Sequence, residues 1–185
     1  MSRRFVLLDR DGTVDAQTAG AYVLRPDDVE LLPGAAEGLR ALRSAGLGLV
    51  IVTNQAPVAR GWISPTELDA VNARLLDLLA AEGVGIEGIY ACPHDAGDGC
   101  DCRKPRPGLL LQAAAEHGFD LTQTYLVGDK DSDVEAGRRA GVTTVLVLTG
   151  EGEAALASGS APDLVVRDLR EAASIITTQV REEAE

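Results

Sequence analysis

The chain has 185 residues, 45% hydrophobic and 25% charged, a length and balance that suit one globular α/β domain over residues 1–185. A net charge of -12, with no long lysine- or arginine-rich cluster, argues against nucleic acid as the partner. The first apolar run, Phe5-Val6-Leu7-Leu8, is too short for a signal-peptide core or a membrane span, so a cytoplasmic protein with no membrane partner is expected.

That run reads as a strand buried on both faces, stopping abruptly at Asp9-Arg10-Asp11-Gly12-Thr13. Asp9 and Asp11 are two apart and would point the same way on a continuing strand, while Gly12 permits a sharp turn behind them. Residues 14–33 read as loop, broken by Gly20, Pro26 and Pro33; this stretch can cover a site but cannot form a large cap. Ala35 to Ala45 has helical spacing, and Leu47 to Val52 is a second buried strand ending at Thr53-Asn54-Gln55, a hydroxyl and two amides. Ser64-Pro65-Thr66-Glu67 has the form of a helix start. Leu68, Val71, Leu75, Leu78 and Leu79 then mark one apolar face.

Ile89 to Ala91 is a short strand leading into a loop that holds every cysteine of the chain. Pro107 to His117 is a helix closed by Gly118, with His117 read as a dipole-satisfying or solvent-facing residue rather than a ligand. Thr124 to Val127 is a strand ending at Gly128-Asp129-Lys130-Asp131, followed by a helix to Ala140 and a strand from Thr144 to Leu148. Glu151 to Pro162 reads as loop, Leu164 to Val166 as a last strand and Leu169 to Val180 as a closing helix. This alternation predicts a three-layer, doubly wound, mainly parallel sheet.

In such a sheet the carboxyl ends of the strands share one edge, so Asp9 and Asp11, Thr53 and Asn54, and Asp129 can meet in a single cleft. Converging carboxylates repel unless a hard cation lies between them, and magnesium suits oxygen ligands together with a phosphate oxygen. Lys104 adds the positive charge a phosphoryl group requires and Thr53 a hydrogen bond. Cys92-Pro93-His94 followed by Cys100-Asp101-Cys102 supplies three sulfurs and an imidazole, a closed tetrahedral set for structural zinc directly before Lys104.

D-R-D-G-T, the Thr53 strand end, Lys104 and G-D-K-D-S-D, in this order, resemble the four motifs of the haloacid-dehalogenase-like phosphatases, over nearly the whole chain. The resemblance implies a Rossmann-like fold in which Asp9 attacks phosphorus to give an aspartyl-phosphate. Asp11 would protonate the leaving alkoxide and later deprotonate water. Magnesium would be held by Asp9, the Asp11 backbone carbonyl and Asp129. Asp133 fits the second acid of the last motif, with an acid at a helix start as the rival reading.

The C-P-H…C-D-C-R-K-P block is similar to two related families, the D-glycero-D-manno-heptose 1,7-bisphosphate 7-phosphatases and the histidinol-phosphate phosphatases. Arg60 and Gly61, Tyr22 and Lys130 look more like the heptose family, which serves nucleotide-activated heptose biosynthesis. The expected substrate contacts are therefore Tyr22, Asn54, Gln55, Arg60, Arg103 and Lys130 in a monomeric enzyme acting on a small phosphorylated sugar. Asp15, Ala56 and Pro57 depart from that family's pattern. Histidinol phosphate remains the second candidate substrate, and a zinc-stabilised scaffold without turnover the alternative of another class.

Overall fold

The computed structural model describes residues 3–17 and 22–183; Met1, Ser2 and Gly20 of the sequence reading lie outside them. Six strands form one parallel sheet: β1 (Phe5–Leu8), β2 (Gly48–Asn54), β3 (Gly88–Cys92), β4 (Tyr125–Gly128), β5 (Thr143–Val147) and β6 (Leu164–Val166), in the order β3-β2-β1-β4-β5-β6. The chain winds outward from β1 to β3, then returns to pair β4 against β1, with Val6 opposite Tyr125 and Leu8 opposite Val127. The reversal of strand order therefore falls between β1 and β4. A crevice opens there at the carboxyl ends of the strands.

Side chains two apart on β1 feed the same layer, and neighbours feed opposite layers. Val6 and Leu8 pack with Leu39 and Leu42 of α1 (Ala35–Ser44), Val71, Leu75 and Leu79 of α2 (Pro65–Ala81) and Ile176 of α6 (Leu169–Glu182). Phe5 and Leu7 pack with Leu110 of α3 (Gly108–His117) and Ala136 of α4 (Asp131–Ala140). Both faces of the sheet are thus covered, as unbroken apolar strands require. Helix α2 starts at a capping box in which Ser64 Oγ accepts the Glu67 N–H at 3.2 Å and Glu67 accepts the Ser64 N–H at 2.7 Å.

One local expectation is revised. Residues 151–162 contain α5 (Gly152–Ala157), six residues whose Ala155 packs against Val134 and Leu146. This is too short for a readable period, and it abuts β5 so closely that a Cβ on Gly152 would lie 1.8 Å from the Val147 carbonyl oxygen. Among the described residues of the 14–33 loop, Asp15 bridges to Asp11 and Leu31, and Pro26–Asp28 forms a 3₁₀ turn. His117 stands half-buried in the last turn of α3, as read, with its ring 5.5 Å from Phe5 and 6.1 Å, edge-on, from Tyr90. No helix among the described residues is long and apolar enough to cross a membrane.

Candidate active site

A cleft of about 270 Å³ lies over the ends of β1, β2 and β4. β1 stops at Leu8, and the Asp9 N–H donates to the Val127 carbonyl at 2.9 Å, so Asp9 leaves the sheet at the switch point itself. The chain then folds back through Gly12, whose φ of +90° and closeness to Asp129 Oδ2, 2.3 Å from a hypothetical Cβ, leave no room for a side chain. It is this turn, not a continuing strand, that brings both Asp9 and Asp11 to the cleft.

Lys104 Nζ is buried between Asp9 Oδ1 at 2.7 Å and Asp133 Oδ1 at 2.6 Å and donates to the Val52 carbonyl at 2.7 Å. Burial opposes ionisation of Asp9, but Lys104 and Lys130 outweigh it and hold the carboxyl below its usual range. Lys104 is raised for the reciprocal reason: burial would lower it, and Asp133 and Asp9 overcome that. Asp133 does both things the sequence left open. Its Oδ2 accepts the Lys130 N–H at 3.0 Å at the start of α4, while Oδ1 holds Lys104 in the cleft.

Carboxylate oxygens of Asp9, Asp129 and Asp133 lie within 4.8 Å of one another, all three residues buried. Burial and then the Asp9 charge push Asp129 up to about 8, the mark of a group of acids short of cations. Lys130 Nζ stands 3.3 Å from the Asp11 carbonyl, 3.4 Å from Asp129 Oδ1 and 3.8 Å from Asp9 Oδ2. An ammonium so placed shows that these oxygens converge on one cationic position. Hard, buried oxygen donors of this kind fit magnesium. Gln17 and Glu151, which no sequence signal singled out, complete the surroundings: Asp129 Oδ2 accepts from the Glu151 N–H at 2.8 Å and Gln17 Nε2 at 3.3 Å.

Of the expected substrate contacts, Tyr22, Asn54, Arg103 and Lys130 line the cleft, and Ser132 and Glu151 join them. Asn54 also grips the main chain of Lys104 twice, donating from Nδ2 to its carbonyl at 2.9 Å and accepting its N–H at 3.0 Å. Gln55 and Arg60 are placed elsewhere. Gln55 is fully buried behind the cleft, where Nε2 donates to Asp11 Oδ2 at 2.7 Å and Thr53 Oγ1 at 2.9 Å. Arg60 makes a two-pronged ion pair with Asp95, at 2.8 and 2.9 Å, and lies over Trp62; its fork clamps the turn after β2 to the cysteine loop.

In that loop Cys102 Sγ is 3.1 Å from Cys92 Sγ, 3.4 Å from Cys100 Sγ and 3.2 Å from His94 Nδ1, with no disulfide among them. Three sulfurs and a ring nitrogen this close, with no fifth protein ligand among the described residues, fit a closed structural zinc site. Arg103 Nη1 donates to the His94 carbonyl at 3.0 Å, so the loop leads into Lys104 through a fixed backbone.

Residues 101–172 match the family model described as HAD-hydrolase-like. A D-glycero-β-D-manno-heptose-1,7-bisphosphate 7-phosphatase of Pseudomonas aeruginosa is 40% identical over 82% of this chain and 85% of its own length. The chain belongs to the D-glycero-D-manno-heptose-1,7-bisphosphate 7-phosphatase family of haloacid-dehalogenase-like hydrolases. It is a phosphoric monoester hydrolase. A further relative of that name, from Thermosynechococcus vestitus, is 35% identical over 97% of this chain and 98% of its own length. The crystal structure of D,D-heptose 1,7-bisphosphate phosphatase from Bordetella bronchiseptica, complexed with magnesium and phosphate, is similar with a TM-score of 0.89 and 36% identity, covering 96% of this chain and 99% of that one.

Proposed function

We propose that this enzyme removes the 7-phosphate of D-glycero-D-manno-heptose 1,7-bisphosphate, as a cytoplasmic monomer in nucleotide-activated heptose biosynthesis. The observation that carries the chemistry is a buried Asp9 carboxylate held ionised by Lys104 at the mouth of a phosphate-sized cleft, with a second acid beside it. Asp9 attacks phosphorus, the sugar oxygen takes a proton from Asp11, and Asp11 then takes a proton from the water that cleaves the aspartyl-phosphate. Thr53 and Lys104 hold the transferring phosphoryl oxygens. Asp9, Asp129 and the Asp11 carbonyl would hold magnesium, which when bound neutralises charge between carboxylate and phosphate. The names of the relatives support the sugar. Phosphate release with magnesium from both anomers of heptose 1,7-bisphosphate and from histidinol phosphate, side by side, tests the reading. Faster release from histidinol phosphate would reverse the substrate assignment, and no release from any would leave the scaffold.

Zinc bound by Cys92, His94, Cys100 and Cys102 serves as a small core for a segment with few apolar residues. Protein purified without added metal is expected to carry one zinc per chain by elemental analysis. Cys100→Ser is expected to lower Tm by about 5–10 °C, since 1 kcal/mol moves Tm by about 2–4 °C at this size. An unchanged Tm and no zinc would mean that the cluster is four free side chains.

Arg103 lines the cleft, whereas Arg60 is occupied with Asp95, so Arg103 is the guanidinium placed to meet a distal phosphate. Arg103→Ala is expected to lower the efficiency ratio of bisphosphate to 7-monophosphate about ten- to a hundredfold, the worth of a charge-assisted hydrogen bond. Arg60→Ala should leave that ratio within about threefold. The reverse pattern would place the distal phosphate at Arg60 instead.

A further inference from the structure

Arg10, between the two acids of the first motif, has no exposure to solvent and is the largest fully buried side chain among the described residues. It does not line the cleft. Its guanidinium faces three side chains: Nη2 donates to Asp11 Oδ1 at 2.8 Å, Nη1 donates to Asn72 Oδ1 of α2 at 3.0 Å, and Nε is ion-paired, without a hydrogen bond, to Asp15 Oδ2 at 3.4 Å. Asp15 is itself wholly buried. Taking such charges out of water costs about as much as their pairing returns, so apolar residues of similar volume would serve stability as well or better. The arrangement calls for another reason.

That reason lies in what Asp11 has to do. Its carboxyl must stay within hydrogen-bond reach first of the leaving oxygen and then of the attacking water, and an error of about 1 Å in such a group can cost a hundredfold. Arg10 holds Oδ1 and Gln55 holds Oδ2 at 2.7 Å, so the carboxyl is gripped from behind on both oxygens. Arg10 in turn is tied to α2 by its hydrogen bond to Asn72, and Asp15 faces its Nε as a buried ion pair at 3.4 Å.

We propose that Arg10 is a positioning residue for Asp11, anchored by Asn72 on α2 and by the buried carboxylate of Asp15. This rests on Asp11 being the general acid and base. Arg10→Met alone would strand two buried carboxylates, so the variant of choice is Arg10→Met with Asp15→Asn, alongside Arg10→Lys, which keeps the charge but cannot reach all three acceptors.

The measurement is kcat/KM, with saturating magnesium, over phosphate monoesters whose leaving groups run from sugar alcohols to 4-nitrophenol, with Tm recorded for each protein. A mispositioned acid should slow alkyl substrates about ten- to a hundredfold and 4-nitrophenyl phosphate no more than about threefold, because nitrophenolate departs without a proton. Arg10→Lys should show the same selectivity at about three- to tenfold, and it carries the test if the double variant does not fold. An equal fall across the series, or no fall, would overturn the positioning role. Asp11→Asn on the same series separates the two ideas. If it is selective for poor leaving groups and the Arg10 variants are not, only the positioning inference fails. If Asp11→Asn is not selective either, the acid assignment fails and takes the positioning inference with it.

Discussion

Asp9→Asn is expected to fold and to turn over at least roughly ten-thousandfold more slowly than the wild type, the scale of losing a nucleophile. An amide nitrogen or oxygen does not attack phosphorus as a carboxylate does, and the neutral side chain is a weak ligand for a hard cation. The fold should survive because the side chains have the same shape and Lys104 keeps Asp133 at 2.6 Å. Loss of one charge also relieves repulsion among Asp9, Asp129 and Asp133, whose oxygens crowd within 4.8 Å. Steady-state phosphate release and a urea melt check both halves. A residual rate within tenfold of the wild type would remove Asp9 from the role of nucleophile.

Lys104→Met should cost both activity and stability. Its ammonium is the one cation that touches both Asp9 and Asp133, with its side chain only 2% exposed, and removing one partner of a buried ion pair costs about 3–5 kcal/mol. The pH dependence carries the sign of the effect. Burial, and next the charge of Asp9, already raise Asp133 above the ordinary carboxylate range, and Lys104 offsets them. Without the lysine, the folded-state value rises further. A carboxyl raised on folding stabilises below its unfolded value and loses that contribution as pH rises through its folded value. The deficit of Lys104→Met is therefore smallest near pH 4 and grows toward neutrality, as urea melts across that range would show. A deficit that does not change with pH would mean that Lys104 stabilises by packing alone.

The signals readable along the chain were those with causes a few residues apart. Four apolar residues followed by D-R-D-G-T mark a buried strand and its exit; Ser64 to Glu67 mark a capping box; C-x-H and C-x-C mark a metal cluster. Strand–helix alternation then dictates a parallel sheet and sets the ends of β1, β2 and β4 side by side, which brings Asp9, Asp11 and Thr53 together, while Lys104 enters from the loop after β3.

What no local pattern carries is the direction in which a side chain points once helices pack around it. Gln55 follows Thr53 and Asn54 in sequence, yet it turns inward to Asp11 while they face the cleft. Arg60 is drawn to Asp95, and Asp133 to Lys104, across 35 and 29 positions of the chain. Arg10 reaches Asn72, 62 residues away, because α2 lies against that face of β1. Short α5 exists only where Ala155 finds Val134 and Leu146. The strands, the longer helices and the edge their carboxyl ends share were legible along the chain, since apolar period and helix capping act over short stretches of backbone. The tertiary structure alone decided which buried charges meet, because a side chain taken out of water must find whatever partner the packed core brings within about 3 Å.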